Sequence, residues 1–322
     1  MSKVAILMST YNGERYLAEQ LDSIVNQTYR DWTLYIRDDG SKDATREILR
    51  AYAKRDPRIN YLEAASQQNL GVKKSFFSLL ATAEADYYMF SDQDDVWHQD
   101  KVEVTLHAMQ EKEQAVGKRV PINVFTNLEL VDATLAPMQL MNGATVKDDF
   151  FHLLYRNVVT GCTMMVNEAL KQKLKLDQID VTKLAMHDWW IGLVAALFGE
   201  NVYVAQPTIK YRQHGDNVAG GIERVNTLTT VLHRIANLTD EKVLVLIVEK
   251  FSYELKRLYA EELRGKEKQY VYAYAKIATS SNFALNFQTA VTCQPYSTHP
   301  WFFNLIMLMF ARSLKVGNRA KK

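Results

Sequence analysis

The chain contains the stretch Tyr87-Tyr88-Met89-Phe90-Ser91-Asp92-Gln93-Asp94-Asp95-Val96-Trp97, an apolar run that ends in three acidic residues within four positions. Such a run predicts a buried strand that delivers carboxylates to its own C-terminal edge. In an open α/β sheet that edge is where ligands bind, and oxygen ligands suit Mg²⁺ or Mn²⁺ better than zinc. The alternative is structural, because aspartate also turns chains and caps helices, here a helix that would begin near Val96.

The residues before this stretch repeat a pattern of strand, polar loop and helix. Strands are predicted over residues 4–8, 32–36 and 60–62, and helices over residues 14–26, 45–53 and 75–82. Strands that alternate with helices predict a parallel, doubly wound sheet in which every strand presents its polar loop at one edge. The predicted fold class is therefore α/β, a Rossmann-like and mostly parallel sheet flanked by helices.

The polar loops after the four strands would converge on one crevice. An aromatic face there can stack on a base, a carboxylate can accept from a ring N–H or a ribose hydroxyl, and a lysine can contact a phosphate. The set suits a nucleoside diphosphate, whereas the sequence lacks the glycine patterns that bind NAD or ATP. The loop residues are Thr10, Tyr11 and Asn12, then Asp38 and Asp39, then Lys73 and Lys74, and finally Asp92, Asp94 and Asp95.

Length and composition are those of an ordinary globular protein, with 322 residues for one large domain and an appendage. Lys and Arg total 39 against 37 for Asp and Glu, so the net charge of +2 gives no case for a nucleic-acid partner. Cys162 and Cys293 have neither disulfide nor metal-ligand spacing, which suits a reducing cytoplasm. The N-terminal apolar run is too short for a signal peptide, and no stretch reaches the ~20 apolar residues of a membrane span.

The middle and the end of the chain are predicted from the same periodicity. Gly161 interrupts a run that is apolar on both faces, where a glycine permits close approach of a ligand or another backbone. The aromatic residues at 150–157 are expected to fill core, the alternative being that they shape an acceptor cleft. We predict helices over residues 101–110, 227–238, 240–263 and 265–281, and strands over residues 120–130, 158–166 and 202–211.

Seven segments resemble motifs of a known enzyme family. Four of them resemble, in order, the motifs of family 2 glycosyltransferases with the GT-A fold: Ser9-Thr10-Tyr11-Asn12-Gly13, Asp38-Asp39-Gly40-Ser41, Asn69-Leu70-Gly71 and residues 91–97. Three others are similar to motifs of the bacterial rhamnosyltransferase branch: residues 160–165, His187-Asp188-Trp189-Trp190 and residues 211–217. Ordered motifs at compatible spacing are far more specific than any one of them. The resemblance covers roughly the first two thirds of the chain.

The resemblance implies roles for individual residues. Thr10, Tyr11 and Asp39 would bind the base and ribose, with Asn12, Asp38, Lys74 and Asp92 completing the donor site. Asp92 and Asp94 match the metal-binding pair of the DXD motif, which would hold Mn²⁺ or Mg²⁺. Asp95 is an alternative ligand, and His214 resembles a late histidine that serves as a third metal or diphosphate contact.

Asp188 has two readings that can coexist. Residues 191–198 predict an apolar helix closed by Gly199, so Asp188 lies near the helix start, where capping alone would account for it. The resemblance implies that Asp188 is the general base that deprotonates the acceptor hydroxyl as it attacks the anomeric carbon. One base opposite a metal-bound leaving group implies inversion.

Two domains are expected. Residues 1–219 would form the nucleotide-sugar-binding and catalytic domain, and residues 220–322 a helical C-terminal region. Within the latter, residues 301–310 form an aromatic and apolar segment with a basic flank. This segment suits an in-plane anchor on the inner face of the cell membrane, or a helix docked on the domain or at a homodimer interface.

The function that the resemblance implies is a metal-dependent inverting glycosyltransferase. Its donor would be a nucleotide sugar, with dTDP-L-rhamnose the first choice, and its acceptor a lipid-linked or polysaccharide chain of cell wall, capsule or O-antigen. One alternative is a UDP-hexose or UDP-N-acetylhexosamine transferase of the same fold. Another is a non-catalytic nucleotide-sugar-binding subunit of an assembly complex, which the retention of Asp188 and the acidic motif disfavours.

Overall fold

The computed structural model describes residues 2–63, 68–214, 238–279 and 282–293. Two compact units divide the chain. The first comprises Met1–Asp148, Val158–Leu176 and Met186–Gly220, and the second Asp149–Asn157, Asp177–Ala185 and Gly221–Lys322. Two short segments that precede residue 219 thus belong to the second unit.

Strands and helices alternate through the first half of the chain. They are β1 (Val4–Thr10), α1 (Leu17–Val25), β2 (Trp32–Asp38), α2 (Thr45–Arg55), β3 (Ile59–Tyr61), α3 (Val72–Thr82), β4 (Tyr87–Ser91), β5 (Val96–Trp97) and α4 (Lys101–Val116). Next come β6 (Ile122–Val131), β7 (Pro137–Leu140), α5 (Phe150–Leu153), β8 (Met164–Asn167), α6 (Glu168–Lys173), α7 (His187–Phe198) and β9 (Glu200–Arg212). The remaining described helices are α8 (Leu238–Tyr259), α9 (Gly265–Thr279) and α10 (Phe283–Thr292).

The strands of the first unit form one mixed sheet of order β3-β2-β1-β4-β8-β6-β9-β5, with β7 paired to β6. β1 runs parallel to β2 and to β4, as the strand–helix repeat predicts. β8 runs antiparallel between β4 and β6, where Met165 pairs with both Met89 and Val124. Because β8 is reversed, the residues that lead into it lie at the edge where β4 ends.

The core forms where helices cover the sheet. Val4, Ile6 and Met8 of β1 are buried in one cluster with Leu17 and Leu21 of α1, at the spacing expected for a strand face and a helix face. Burying each such side chain contributes about 1.5–3 kcal/mol. The strand predictions near β1 to β4 are confirmed within a few residues, and the core of the unit is built from them.

One local prediction and two of the alternative readings are wrong. Residues 158–166 do not form one strand, because Gly161–Thr163 is a 3-10 turn that the Thr163 hydroxyl closes by donating to the Thr160 carbonyl at 2.7 Å. Val96 begins a short strand that pairs with β9, not a helix. Helix α7 begins at His187 with Met186 as its N-cap, so Asp188 is a first-turn residue and not the cap.

A glycine fixes the junction between α7 and β9. A Cβ added to Gly199 would lie 2.8 Å from the carbonyl carbon of Pro121, so a side chain does not fit there. The backbone N–H of Glu200 donates to the Pro121 carbonyl at 2.9 Å, which starts the pairing of β9 with β6. Helix α7 is thereby held at a fixed distance from the sheet edge.

The second unit is helical where the structure describes it. The Tyr155 hydroxyl donates to the Tyr274 hydroxyl at 2.7 Å, and Tyr274 donates to the Cys293 carbonyl at 2.9 Å, all within buried surroundings. Among the described helices, none has both the length and the apolar character that crossing a bilayer requires. The segment 301–310 lies outside the described residues, as does the predicted helix over residues 227–238 except Leu238, which begins α8.

Candidate active site

A cavity of about 730 Å³ opens at the C-terminal edge of β1, β2 and β4. This volume lies within the ~300–1,000 Å³ of small-molecule sites. The sequence-predicted residues that line it are Thr10, Tyr11, Asn12, Asp39, Asp92, Asp94, Asp188 and His214. Asp38, Lys74 and Asp95 are not among the lining residues.

The loop after β1 supplies an aromatic surface. Tyr11 is 49% exposed, unlike the buried Tyr87 and Tyr88 of β4. Asn12 follows in the left-handed region, with φ of 48°, and its side-chain oxygen accepts from the Lys42 N–H at 2.9 Å. The Asn12 N–H in turn donates to the Ser41 hydroxyl at 2.8 Å. Asn12 therefore ties this loop to the loop after β2.

Asp38 is a buried brace beneath the cavity. It accepts from the Thr10 hydroxyl at 3.0 Å, the Ser41 N–H at 2.9 Å and Arg46 Nε at 2.9 Å. Burial alone would raise the pKa of Asp38, but hydrogen bonds from Ser41, Arg46 and Thr10 outweigh it and hold that pKa below its usual value. The side chain organises the loops without facing the ligand space.

Asp39 lines the cavity, and its carboxylate oxygens already accept several hydrogen bonds from the protein. It pairs with the buried Arg37 and accepts from the N–H groups of Leu70 at 2.6 Å and Gly71 at 2.7 Å. Burial opposes these contacts, yet they keep the pKa of Asp39 below its usual value. In the described residues Oδ2 accepts only from Gly71, so one lone pair is left for a ligand N–H or hydroxyl.

The carboxylates of Asp92 and Asp94, in the loop after β4, line the cavity without accepting from a backbone N–H group or an arginine in the described part of the chain. Burial, then the charges of Asp94 and Asp188, raises the pKa of Asp92 to about 7. Oδ2 of Asp94 lies 2.8 Å from Nε2 of His214, at the end of β9. Two carboxylates and an imidazole are ligands that a divalent cation accepts, and its charge would relieve the repulsion at Asp92. By their ligand chemistry these residues therefore suit Mn²⁺ or Mg²⁺.

Asp95 turns away from the cavity. Its Oδ1 accepts from the Arg212 N–H at 3.2 Å, and ligand atoms of Asp92, Asp95 and Cys162 lie within 4.8 Å of one another. Burial, with the neighbouring carboxylates adding to it, raises the pKa of the Cys162 thiol well above its usual value. A protonated thiol is a poor ligand for a hard cation, so this inner group suits a metal less well than the cavity-facing set.

Asp188 projects into the cavity from the first turn of α7. Its Oδ2 accepts from the Gly161 N–H at 3.1 Å and its Oδ1 from the Trp189 N–H at 2.6 Å. The positive end of the helix dipole favours a carboxylate here. Trp190 is fully buried and Trp189 nearly so, which places both behind the carboxylate as packing.

The sequence analysis gave no individual role to Thr160, His187 or Arg212. Thr160 and Gly161 line the cavity because β8 is antiparallel, and His187 lines it from the start of α7. His187 is buried and stacks on Phe76, with 4.4 Å between the ring centroids. Its ring also packs against Gly161, on the side where a larger residue would carry its Cβ. Arg212 donates to the Asp94 carbonyl at 2.8 Å and thereby braces the loop after β4. The motifs contained these residues, but only the fold shows what they touch.

The family model for glycosyl transferase family 2 matches residues 5–172, more than half of the chain. Among relatives, the dTDP-rhamnosyl transferase RfbG of Shigella flexneri is 27% identical over 226 residues, covering 66% of this chain and 73% of that protein. The putative teichuronic acid biosynthesis glycosyltransferase TuaG of Bacillus subtilis (strain 168) is 30% identical over 179 residues, covering 55% and 66%.

Solved structures support the fold. The structure of S. aureus TarS 1-349 in complex with UDP-GlcNAc has a TM-score of 0.56 at 16% identity, covering 98% of this chain and 89% of that chain. A longer TarS structure has the same TM-score at 14% identity, and the chain spans 54% of it. At these identities the likeness concerns the fold alone. The chain belongs to glycosyl transferase family 2 and is a glycosyltransferase with the GT-A fold.

Proposed function

We propose that this glycosyltransferase is metal-dependent and inverting, and that it transfers a sugar from a nucleotide donor to a hydroxyl of a lipid-linked or polysaccharide acceptor. The observation that carries the proposal is that Asp92, Asp94, Asp188 and His214 line one cavity and that the carboxylates repel one another there. A bound cation would offset the repulsion between these carboxylates, and an acceptor hydroxyl placed beside Asp188 would have a base within reach.

The nucleotide end of the donor would lie against Tyr11 and Asp39. The exposed ring of Tyr11 offers a stacking face for the base, and the remaining lone pair on Asp39 Oδ2 can accept from the base or ribose. Thr10 and Asn12 hold the loop that carries Tyr11, while Asp38 fixes the loop beneath it. Lys74 does not line the cavity, so we assign it no contact with the donor.

The metal would be held by Asp92, Asp94 and His214. When bound, it supplies positive charge that stabilises the diphosphate as the bond to the sugar breaks. Arg212 supports this arrangement, because its contact with the Asp94 carbonyl fixes the backbone of the loop.

Asp188 would act as the general base. The N–H groups of Gly161 and Trp189 orient its carboxylate, which lines the cavity where it would take the acceptor hydroxyl proton. As that proton leaves, the hydroxyl oxygen bonds to the anomeric carbon and the nucleoside diphosphate departs from the opposite face. The product anomer is therefore inverted.

The donor and acceptor are proposed from the relatives. RfbG is named a dTDP-rhamnosyl transferase and shares 27% identity, which supports dTDP-L-rhamnose. TuaG is named for teichuronic acid biosynthesis, which supports a cell-wall polymer as acceptor. A UDP-hexose or UDP-N-acetylhexosamine donor is the second candidate, since a TarS structure contains UDP-GlcNAc. Contact with the cytoplasmic membrane face, and a homodimer, are proposed from residues 301–310 of the sequence alone.

A donor panel tests this function. The purified chain would be incubated with dTDP-L-rhamnose, UDP-glucose, UDP-galactose or UDP-N-acetylglucosamine, with Mn²⁺ or with a chelator, and melting temperature and donor hydrolysis would be measured. A true donor stabilises the fold by mass action and is hydrolysed only with the metal. Stabilisation without hydrolysis or transfer would indicate a binding subunit. Metal-independent binding of every donor would contradict the proposed metal role.

A further inference from the structure

We propose that Gln93 is a positioning residue that couples metal binding at Asp92 and Asp94 to nucleoside binding at Tyr11. The inference rests on the proposed function for the identity of the two ligands. It concerns a different property, namely whether the two ligands assist each other through the protein.

Gln93 and Tyr11 are joined by a reciprocal pair of hydrogen bonds. The Tyr11 N–H donates to Gln93 Oε1 at 2.8 Å, and Gln93 Nε2 donates to the Tyr11 carbonyl at 3.0 Å. One side-chain amide thus satisfies both backbone groups of a single residue, as a neighbouring strand would. Because the partners are one donor and one acceptor, the orientation of the amide is fixed by them.

A glycine makes room for this pairing. A Cβ added to Gly13 would lie 2.6 Å from Cδ of Gln93 and closer still to Oε1, so the amide lies directly on the Gly13 backbone. The Gly13 N–H donates to the buried Thr45 hydroxyl at 2.8 Å, which keeps this loop from moving away. The amide is therefore confined between the Tyr11 backbone and Gly13.

The position of Gln93 in the sequence converts this pairing into a coupling. It is the residue between Asp92 and Asp94, so any cation that draws the two carboxylates together fixes the backbone from which its side chain extends. That in turn fixes the backbone of Tyr11, whose ring is half exposed. By reciprocity, a nucleoside that orders Tyr11 tightens metal binding by the same factor.

A nucleoside without phosphates is the probe, because it cannot contact the metal directly. Thymidine and uridine would each be titrated by ligand-observed NMR, with and without saturating Mg²⁺, which avoids the line broadening of Mn²⁺. For the wild type we expect Mg²⁺ to tighten nucleoside binding about 5-fold or more. Gln93→Met keeps the length of the side chain and removes both hydrogen bonds, so nucleoside affinity should become independent of Mg²⁺.

Two further variants keep the test decisive. Gly13→Ala should displace the amide and abolish the coupling by itself, and the double variant Gly13→Ala/Gln93→Met should lose no more than either single variant. Gln114→Met, at an exposed position of α4, is the matched control and should retain the full coupling.

Separate outcomes bear on the inference and on the function. If Mg²⁺ leaves nucleoside affinity unchanged in the wild type while dTDP or UDP binding still requires the metal, the coupling is wrong and the metal role stands. Persistence of the coupling in both Gln93→Met and Gly13→Ala would show that Gln93 does not transmit it. If dTDP and UDP also bind equally with and without metal, the metal role fails and this inference fails with it.

Discussion

Two acidic loops lie on either side of β1, and they differ in how the chain treats them. The loop after β2 carries Asp38 and Asp39, whose oxygens accept from backbone N–H groups, hydroxyls and arginines. The loop after β4 carries Asp92 and Asp94, where burial and like charges raise the pKa of Asp92. The pKa of Asp92 is therefore raised where the pKa values of Asp38 and Asp39 are lowered, although the two acid clusters look alike in the sequence.

The difference shows when an acid cluster at a strand end is a binding site. An acid that the chain itself supplies with donors is stable without a ligand and contributes to the fold. An acid that the chain leaves without them costs free energy until a cation or a proton arrives. An acid that the chain supplies with donors is therefore structural, and an acid left without them marks a candidate binding site.

The largest expected effect is that of replacing Asp188, whose carboxylate lines the cavity together with Asp92 and Asp94 of the loop after β4. Asp188→Asn removes the proton acceptor and keeps nearly the same volume, so transfer should slow by about 10²–10⁴-fold. Donor affinity should change little, since the proposed metal and nucleotide contacts lie elsewhere, whereas the melting temperature should fall because the amide places an N–H group against the N–H of Gly161 or Trp189. All three would be measured on one preparation, with Asp177→Asn at an exposed position as control. Wild-type turnover in Asp188→Asn would refute the assignment.

A large stability effect is expected in the braced loop. Asp39→Asn leaves the buried Arg37 without its counter-charge and places an amide near the Leu70 and Gly71 N–H groups. Breaking a buried pair in this way should lower the free energy of unfolding by about 3 kcal/mol. Urea unfolding followed by circular dichroism would measure it. A loss below ~1 kcal/mol would mean that the brace is not structural.

A substitution in the loop after β4 should change the free energy of unfolding in the opposite direction. Asp92→Asn removes one of the repelling charges, so at pH 8 without metal it should raise the free energy of unfolding by about 1 kcal/mol. The same variant should lose the Mn²⁺ dependence of dTDP or UDP binding, measured by calorimetry. If Asp92→Asn instead destabilises the metal-free protein as Asp39→Asn does, the contrast between the loops is wrong.

The smallest expected effect is the loss, at acid pH, of the stability that Asp38 contributes. The pKa of Asp38 is lower in the folded protein than in the unfolded chain, so its contribution to stability is present above pH ~4 and is lost as the pH falls through the folded pKa. The cost of Asp38→Asn should therefore be full at pH 7 and shrink below pH ~4. Unfolding of both proteins across pH 3–7 would test this, and a cost that is constant over that range would contradict it.

Much of the first half of the fold followed from the sequence. The alternation of apolar runs with helical spacing predicts β1 to β4 and their helices, because this information is local. Parallel pairing then predicts that the loops after β1, β2 and β4 meet, and Tyr11, Asp39 and Asp92 do line one cavity.

The rest depends on contacts distant in sequence. Thr160 and Gly161 reach the cavity because β8 is reversed, so residues that enter a strand, and not those that leave it, contribute there. Nothing in the pattern distinguishes Asp38 from Asp39, although neighbouring residues of an extended chain point to opposite sides. The pairing of Gln93 with Tyr11 joins residues 82 positions apart, which no local signal encodes.

The exposed ring of Tyr11 bears on how donor preference could change during evolution. A flat aromatic face accepts any base, because stacking depends little on base identity. On the proposed function, thymine and uracil donors would meet the same platform, and the choice of sugar would be made at the other end of the cavity. Substitutions confined to that end could then exchange one activated sugar for another while the Tyr11 loop stays unchanged, which would make such enzymes readily diversified catalysts of surface polysaccharides.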